Sequence, residues 1–133
     1  NYRNTDCLII NEKEIRHELR NRTGKVEILM KNLSKLQNIS NLIVTQGTEG
    51  SILYNNKRNR FHYCDAFSKT AIDKIGAGDT MLSVIGLCLK NKIDLDLSLL
   101  LSSLAAAQSV KTMGNKKSLD KISLIKSLEH LLK

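Results

Sequence analysis

The residues best equipped for chemistry lie in Gly76-Ala77-Gly78-Asp79, with Asp73 before them and an apolar stretch over 81–89 after them. Glycine lets the backbone approach a ligand closely, and the free N–H groups that open the following helix suit phosphate oxygens. Asp79 falls in the first helical turn, where the helix dipole favours the ionised carboxylate, an acceptor for a hydroxyl proton. An anion cradle beside a base is what phosphoryl transfer to an alcohol requires. The plainer alternative is a turn and an Asp N-cap opening a core helix.

Two other segments carry related signals. Asn11-Glu12-Lys13-Glu14 follows an apolar strand over 7–10, and Asn11 and Glu14 share one helix face at i and i+3. Asn at an N-cap with Glu at N3 is also a capping box, and both roles can hold together. Thr45-Gln46-Gly47-Thr48-Glu49-Gly50 ends the next apolar strand and on its own reads as a hairpin loop.

In this order the three segments resemble the Asn-x-x-Glu, Thr-x-Gly-x-x-Gly and Asp-Thr-x-Gly-Ala-Gly-Asp signatures of the ribokinase-like (PfkB) carbohydrate kinases. The resemblance runs from about Asp6 to Leu131. It implies an α/β chain, the C-terminal part of a ribokinase-like three-layer α/β/α fold, and an ATP-dependent phosphorylation of a sugar or sugar-phosphate hydroxyl. Asp79 would be the general base, and the amides of Gly76, Ala77 and Gly78 would hold the charge on the transferring group. Asn11 and Glu14 would organise Mg²⁺, its waters and phosphate; Thr45, Gly47 and Gly50 would contact the nucleotide phosphates. Ala106, in Ala105-Ala106-Ala107, would line the adenine pocket, although small residues there also suit tight helix-on-sheet packing. A K⁺ site would use Asp73, Ile75, Ser109, Thr112, Gly114 and Ser118. The departure is Lys74, where the family has Thr; its ammonium could replace the cation's charge and reduce dependence on K⁺.

The Asp73-Lys74-Ile75 form and the run over 10–14 also resemble heptose-phosphate kinases paired with cytidylyltransferases, while ribose-like, fructose-phosphate and nucleoside substrates stay open. In the family the sugar and lid residues come mostly from an N-terminal half with no counterpart here. Residues 1–133 are therefore expected to be one nucleotide-binding domain, a fragment inactive alone, with homodimerisation or a missing N-terminal half covering apolar surface. The alternative from another class is a truncated, non-catalytic nucleotide-binding or scaffolding remnant.

Composition narrows the other options. Hydrophobic residues at 41% and charged residues at 26% fit a globular chain. No apolar run nears the ~18 residues of a membrane span, so a cytoplasmic protein with no membrane partner is expected. The net charge of +8 is spread out, with short clusters only at 57–60 and 116–117, and aromatics are 4%. Such basic residues read as solvated surface, and nucleic acid is not expected as a partner. Cys7, Cys64 and Cys88 are odd in number and read as reduced, buried thiols. His17, His62 and His130 read as structural or surface residues. Gly76-Ala77-Gly78 lacks the third glycine of a dinucleotide fingerprint, and no P-loop sequence occurs.

Periodicity predicts the elements that must position these residues. Strands are expected over 7–10, 42–45, 51–54 and 60–64, with an extended segment over 69–72. Helices are expected over 12–21, 25–36, 77–90, 95–113 and 119–132, the second burying Val26, Leu29, Met30, Leu33 and Leu36. Alternation of this kind calls for a layered α/β fold.

Overall fold

Short runs of Leu, Ile and Val favour extended backbone and form a four-stranded sheet in the order β1-β2-β3-β4. The strands are β1 (Cys7–Asn11), β2 (Asn41–Thr45), β3 (Ser51–Asn55) and β4 (Arg60–Cys64). The computed structural model describes residues 3–66 and 77–112, together with Lys126 and His130. The extended segment expected over 69–72, and nearly all of the helix expected over 119–132, lie outside these residues.

β1 and β2 are parallel, with Asn11 opposite Thr45, whereas β3 and β4 follow as antiparallel hairpins. Side chains alternate between the sheet faces, and both faces are covered. Leu8, Ile10, Leu42, Val44, Ile52 and Tyr54 pack with residues of α1 (Glu12–Glu18) and α2 (Val26–Gln37). Ile9, Ile43 and Leu53 face the other way, onto Met81 and Ile85 of α3 (Ala77–Lys90) and Leu99 and Ala106 of α4 (Leu95–Thr112). The result is a three-layer α/β/α arrangement, as expected.

Two helix details differ from expectation. α1 stops at Glu18 instead of reaching residue 21 because Arg20 turns left-handed (φ 49°), and the Asn21 side chain accepts hydrogen bonds from the Thr23 and Gly24 amides. Leu36 is 68% exposed, not buried with Val26, Leu29, Met30 and Leu33. It sits in the last turn of α2, where left-handed Asn38 swings the chain around and brings fully buried Ile39 into the core. Leu97, Leu100 and Leu104 of α4 are also exposed. No helix of the described residues is long and apolar enough to cross a membrane.

All three cysteines are free thiols; Cys88 is buried, Cys7 and Cys64 half-buried. Burial, reinforced by the Asp6 charge, pushes the Cys7 thiol up to about 12. Burial raises Cys64 and Cys88 as well. The inert, protonated form therefore prevails near neutral pH.

The β2–β3 turn requires glycine at one position for two reasons. Gly50 has φ 98°, and a Cβ there would meet the Cys64 carbonyl oxygen at 2.1 Å. Gly47 also has positive φ but faces open space. Gly50→Ala is therefore expected to cost about 2–4 kcal/mol in denaturant unfolding, against about 1 kcal/mol for Gly47→Ala. Equal losses would contradict the close contact.

Candidate functional site

Open α/β sheets bind ligands beyond the carboxyl ends of their parallel strands, and here those ends carry Asn11 and Thr45. Asn11 is simultaneously the last residue of β1 and the N-cap of α1. Its Oδ1 accepts from the Glu14 amide at 2.8 Å, and the Glu14 Oε1 accepts from the Asn11 amide at 3.0 Å. The capping box is thus real, and it holds the Glu14 carboxylate, which is exposed, at the strand end. Thr45 is buried, and after it the chain makes a 3-10 turn over Gly47–Glu49, closed by the Gln46 amide donating to the Gly50 carbonyl at 2.8 Å.

A cleft of about 500 Å³ opens between these two segments, lined by Asn11, Glu12, Lys13, Arg16, Thr45, Gln46 and Gly47. Its walls are tied together by a network that sequence reading missed. Gln46 Nε2 donates to Glu12 Oε1 at 3.2 Å, Arg16 Nε donates to Glu12 Oε2 at 2.8 Å, and Arg16 Nη1 donates to the Gly24 carbonyl at 2.8 Å. The Glu12–Arg16 spacing of i, i+4 was visible in sequence, but Gln46 lies 34 residues from Glu12 and carried no signal of the contact. Glu12, the first carboxylate of the segment over 11–14, therefore holds the turn, while Glu14 completes the helix cap.

α3 approaches the same end of the sheet. Its Met81 and Ile85 pack on Ile43 and Leu53 in the middle of the strands, and Leu89 borders Asn41 at the start of β2. The ten steps from Asp79 to Leu89 rise about 15 Å, slightly more than β2 spans from Asn41 to Thr45, about 13 Å. The first turn, with Gly78 and Asp79, must then lie toward the carboxyl ends that hold Asn11 and Thr45. Both residues are exposed, and a Cβ on Gly78 would meet nothing within 4 Å. Thr80, fully buried, donates through Oγ1 to Ser109 Oγ at 3.2 Å and pins this turn to α4.

Of the other expected site residues, Ala106 is fully buried against the sheet together with Ile43 and Leu53, so its side chain is engaged in packing. The small residues let α4 lie close. Ser109 is buried and bonded to Thr80; Ala77 and Thr112 are the first residue of α3 and the last of α4. Asp73, Lys74, Ile75, Gly76, Gly114 and Ser118 lie outside the described residues. Among the described residues no group of three metal-ligating side chains is assembled. His62 has a partner that sequence did not reveal, Asp96, at 2.6 Å.

The sequence profile of the pfkB family carbohydrate kinases matches residues 2–122. The chain belongs to that family. Among pfkB relatives it is 32% identical over 117 residues to the bifunctional protein HldE of Campylobacter concisus, covering 86% of this chain and 24% of that protein. An uncharacterized sugar kinase of Buchnera aphidicola is 32% identical over 77 residues, 58% of this chain and 24% of that protein. The chain thus spans only 24% of the length of these relatives. Its fold is ribokinase-like. It superposes on Escherichia coli phosphofructokinase-2 in complex with substrates and products with a TM-score of 0.72 at 15% identity, covering 96% of this chain and 41% of that one. For Arabidopsis thaliana ribokinase complexed with ribose and ATP the TM-score is 0.69 at 22% identity, covering 96% and 41%.

The turn over 47–49 is held to α1 through the Gln46–Glu12 hydrogen bond. Glu12→Ala is expected to lower stability by about 1 kcal/mol and to accelerate native-state amide exchange at Gln46 and Gly47. Unchanged exchange there would show that the network leaves the turn unaffected.

Proposed function

We propose that this chain supplies the ATP site, anion hole and catalytic base for phosphorylation of a sugar or sugar-phosphate hydroxyl. One arrangement supports the reading: Asn11 and the turn after Thr45 share one end of the sheet, and the packing of Met81 and Ile85 directs the first turn of α3 toward it. In the family that end would take the nucleotide phosphates. Neither Gly47 nor Gly78 has a side chain to obstruct a phosphate, and the free amides that open α3 suit its oxygens. Asp79, exposed beside those amides, would accept the proton of the attacking hydroxyl as its oxygen bonds to the γ-phosphorus and the bond to the ADP oxygen breaks.

The residues present fit Mg²⁺ bound through the nucleotide. Glu14 offers one exposed carboxylate beside Asn11, and Mg²⁺ commonly keeps waters and substrate phosphates as its other ligands. Glu14 and Asn11 would hold the ion and its waters, and its charge would offset that of the phosphates. The residues that bind the sugar are proposed to belong to the part of the kinase that this chain does not span, as it matches 24% of the relative's length. The similarity to HldE and the run over 10–14 together favour a heptose phosphate as the acceptor.

In the kinase that carries this sequence, Asp79→Asn is expected to lower kcat by about 10²–10⁴-fold and to leave ATP–Mg²⁺ affinity within about twofold. Sugar-dependent ADP release, read beside equilibrium nucleotide binding, tests both halves. Unaltered turnover would remove Asp79 from the role of base.

A further inference from the structure

At the opposite end of the sheet a groove of about 690 Å³ lies between the β3–β4 hairpin and the turn joining α3 to α4. Paired Asn41 and Asn55 line it, Asn41 lying about 13 Å along β2 from Thr45. It is therefore separate from the cleft assigned to the nucleotide. Its volume lies within the range of small-molecule sites.

Four cations line it: Lys57, Arg58 and Arg60 from the hairpin, and Lys92 from the α3–α4 turn. In sequence the first three read as solvated surface, and nothing connected them to Lys92, more than thirty residues on. Among the described residues none of the four side chains forms an ion pair. Two carboxylates also face the groove, Asp94 and Asp96, the latter held by His62 at 2.6 Å, so that four cations outnumber two anions. Ile93 and Leu95 supply an apolar wall.

Both rims are held in place. Asn59 is left-handed (φ 52°) and accepts from the Tyr54 hydroxyl at 2.8 Å, and Asn55 Oδ1 accepts from the Arg58 amide at 2.8 Å. Lys92 is also left-handed (φ 55°), its amide donating to the Leu89 carbonyl at 3.1 Å. Positive φ is uncommon at lysine, and here it fixes the backbone from which the ammonium extends toward the groove. Four unpaired cations gathered on fixed backbone repel one another, and a phosphoryl group, to which Arg donates bidentately, relieves that repulsion.

We propose that this groove is a second ligand site, for a small molecule bearing a phosphate or diphosphate, bound by Lys57, Arg58, Arg60 and Lys92. The chemistry is that of a phosphorylated effector or product, held apart from the reacting centre. The site stands independently of the kinase reading.

Titration of the 133-residue chain with inorganic pyrophosphate, followed by backbone amide NMR, tests it. The expected result is saturable shifts at residues 55–62 and 89–96, with Kd below about 1 mM. The Lys57→Ala, Arg58→Ala double variant, altered only at exposed positions whose side chains make no hydrogen bond among the described residues, should keep the folded spectrum and weaken binding about 10-fold or more. Non-saturating shifts up to about 10 mM, saturation confined to residues 45–50, or unchanged affinity in the double variant would each overturn the proposal. Saturation at the groove while ATP–Mg²⁺ moves nothing at 45–50 would uphold this site and contradict the nucleotide assignment.

Discussion

The parallel register of β1 on β2 is the constraint on which the candidate site depends. It sets Asn11 opposite Thr45, so that α1 and the β2–β3 turn depart from adjacent points on the sheet. A slip of one residue would move every side chain to the other face. Here both faces are buried, Ile10, Leu42 and Val44 against one helical layer and Ile43 against the other. The register is thus locked by the core.

The two helical layers then divide the work. On one side, α1 begins without a connecting loop because Asn11 caps it, and Glu12 reaches across to Gln46. On the other, α3 must run antiparallel to β1 and β2 to place Met81 and Ile85 on the sheet and Leu89 beside Asn41. The same packing that buries its apolar face aims its first turn at the strand ends. Ala105, Ala106 and Ala107, all nearly inaccessible, keep α4 close enough for Ser109 to meet Thr80.

What could be read from the sequence was local in origin. Asn11 and Glu14 are demanded by a capping box four residues long, and α3 by its unbroken apolar period. Such requirements leave marks at fixed short spacings. The early end of α1 was hidden because nothing in the sequence showed the left-handed Arg20 and the Asn21 side chain that holds the turn after it. Leu36 shows the limit of periodicity: it keeps the helical spacing, but the chain turns away before its position is covered. The Glu12–Gln46 bond, the His62–Asp96 pair and the meeting of Lys92 with the β3–β4 hairpin join residues about 34 apart, and only the fold brings them together.

The most direct test of the account is equilibrium binding of ATP–Mg²⁺ to this chain, with native-state hydrogen exchange read residue by residue. Saturable binding that slows exchange in the turn at 47–50 and in the first turn of α3 is the predicted result. Binding with no protection at either turn, or saturable protection only elsewhere, would contradict a nucleotide site at the carboxyl ends of β1 and β2.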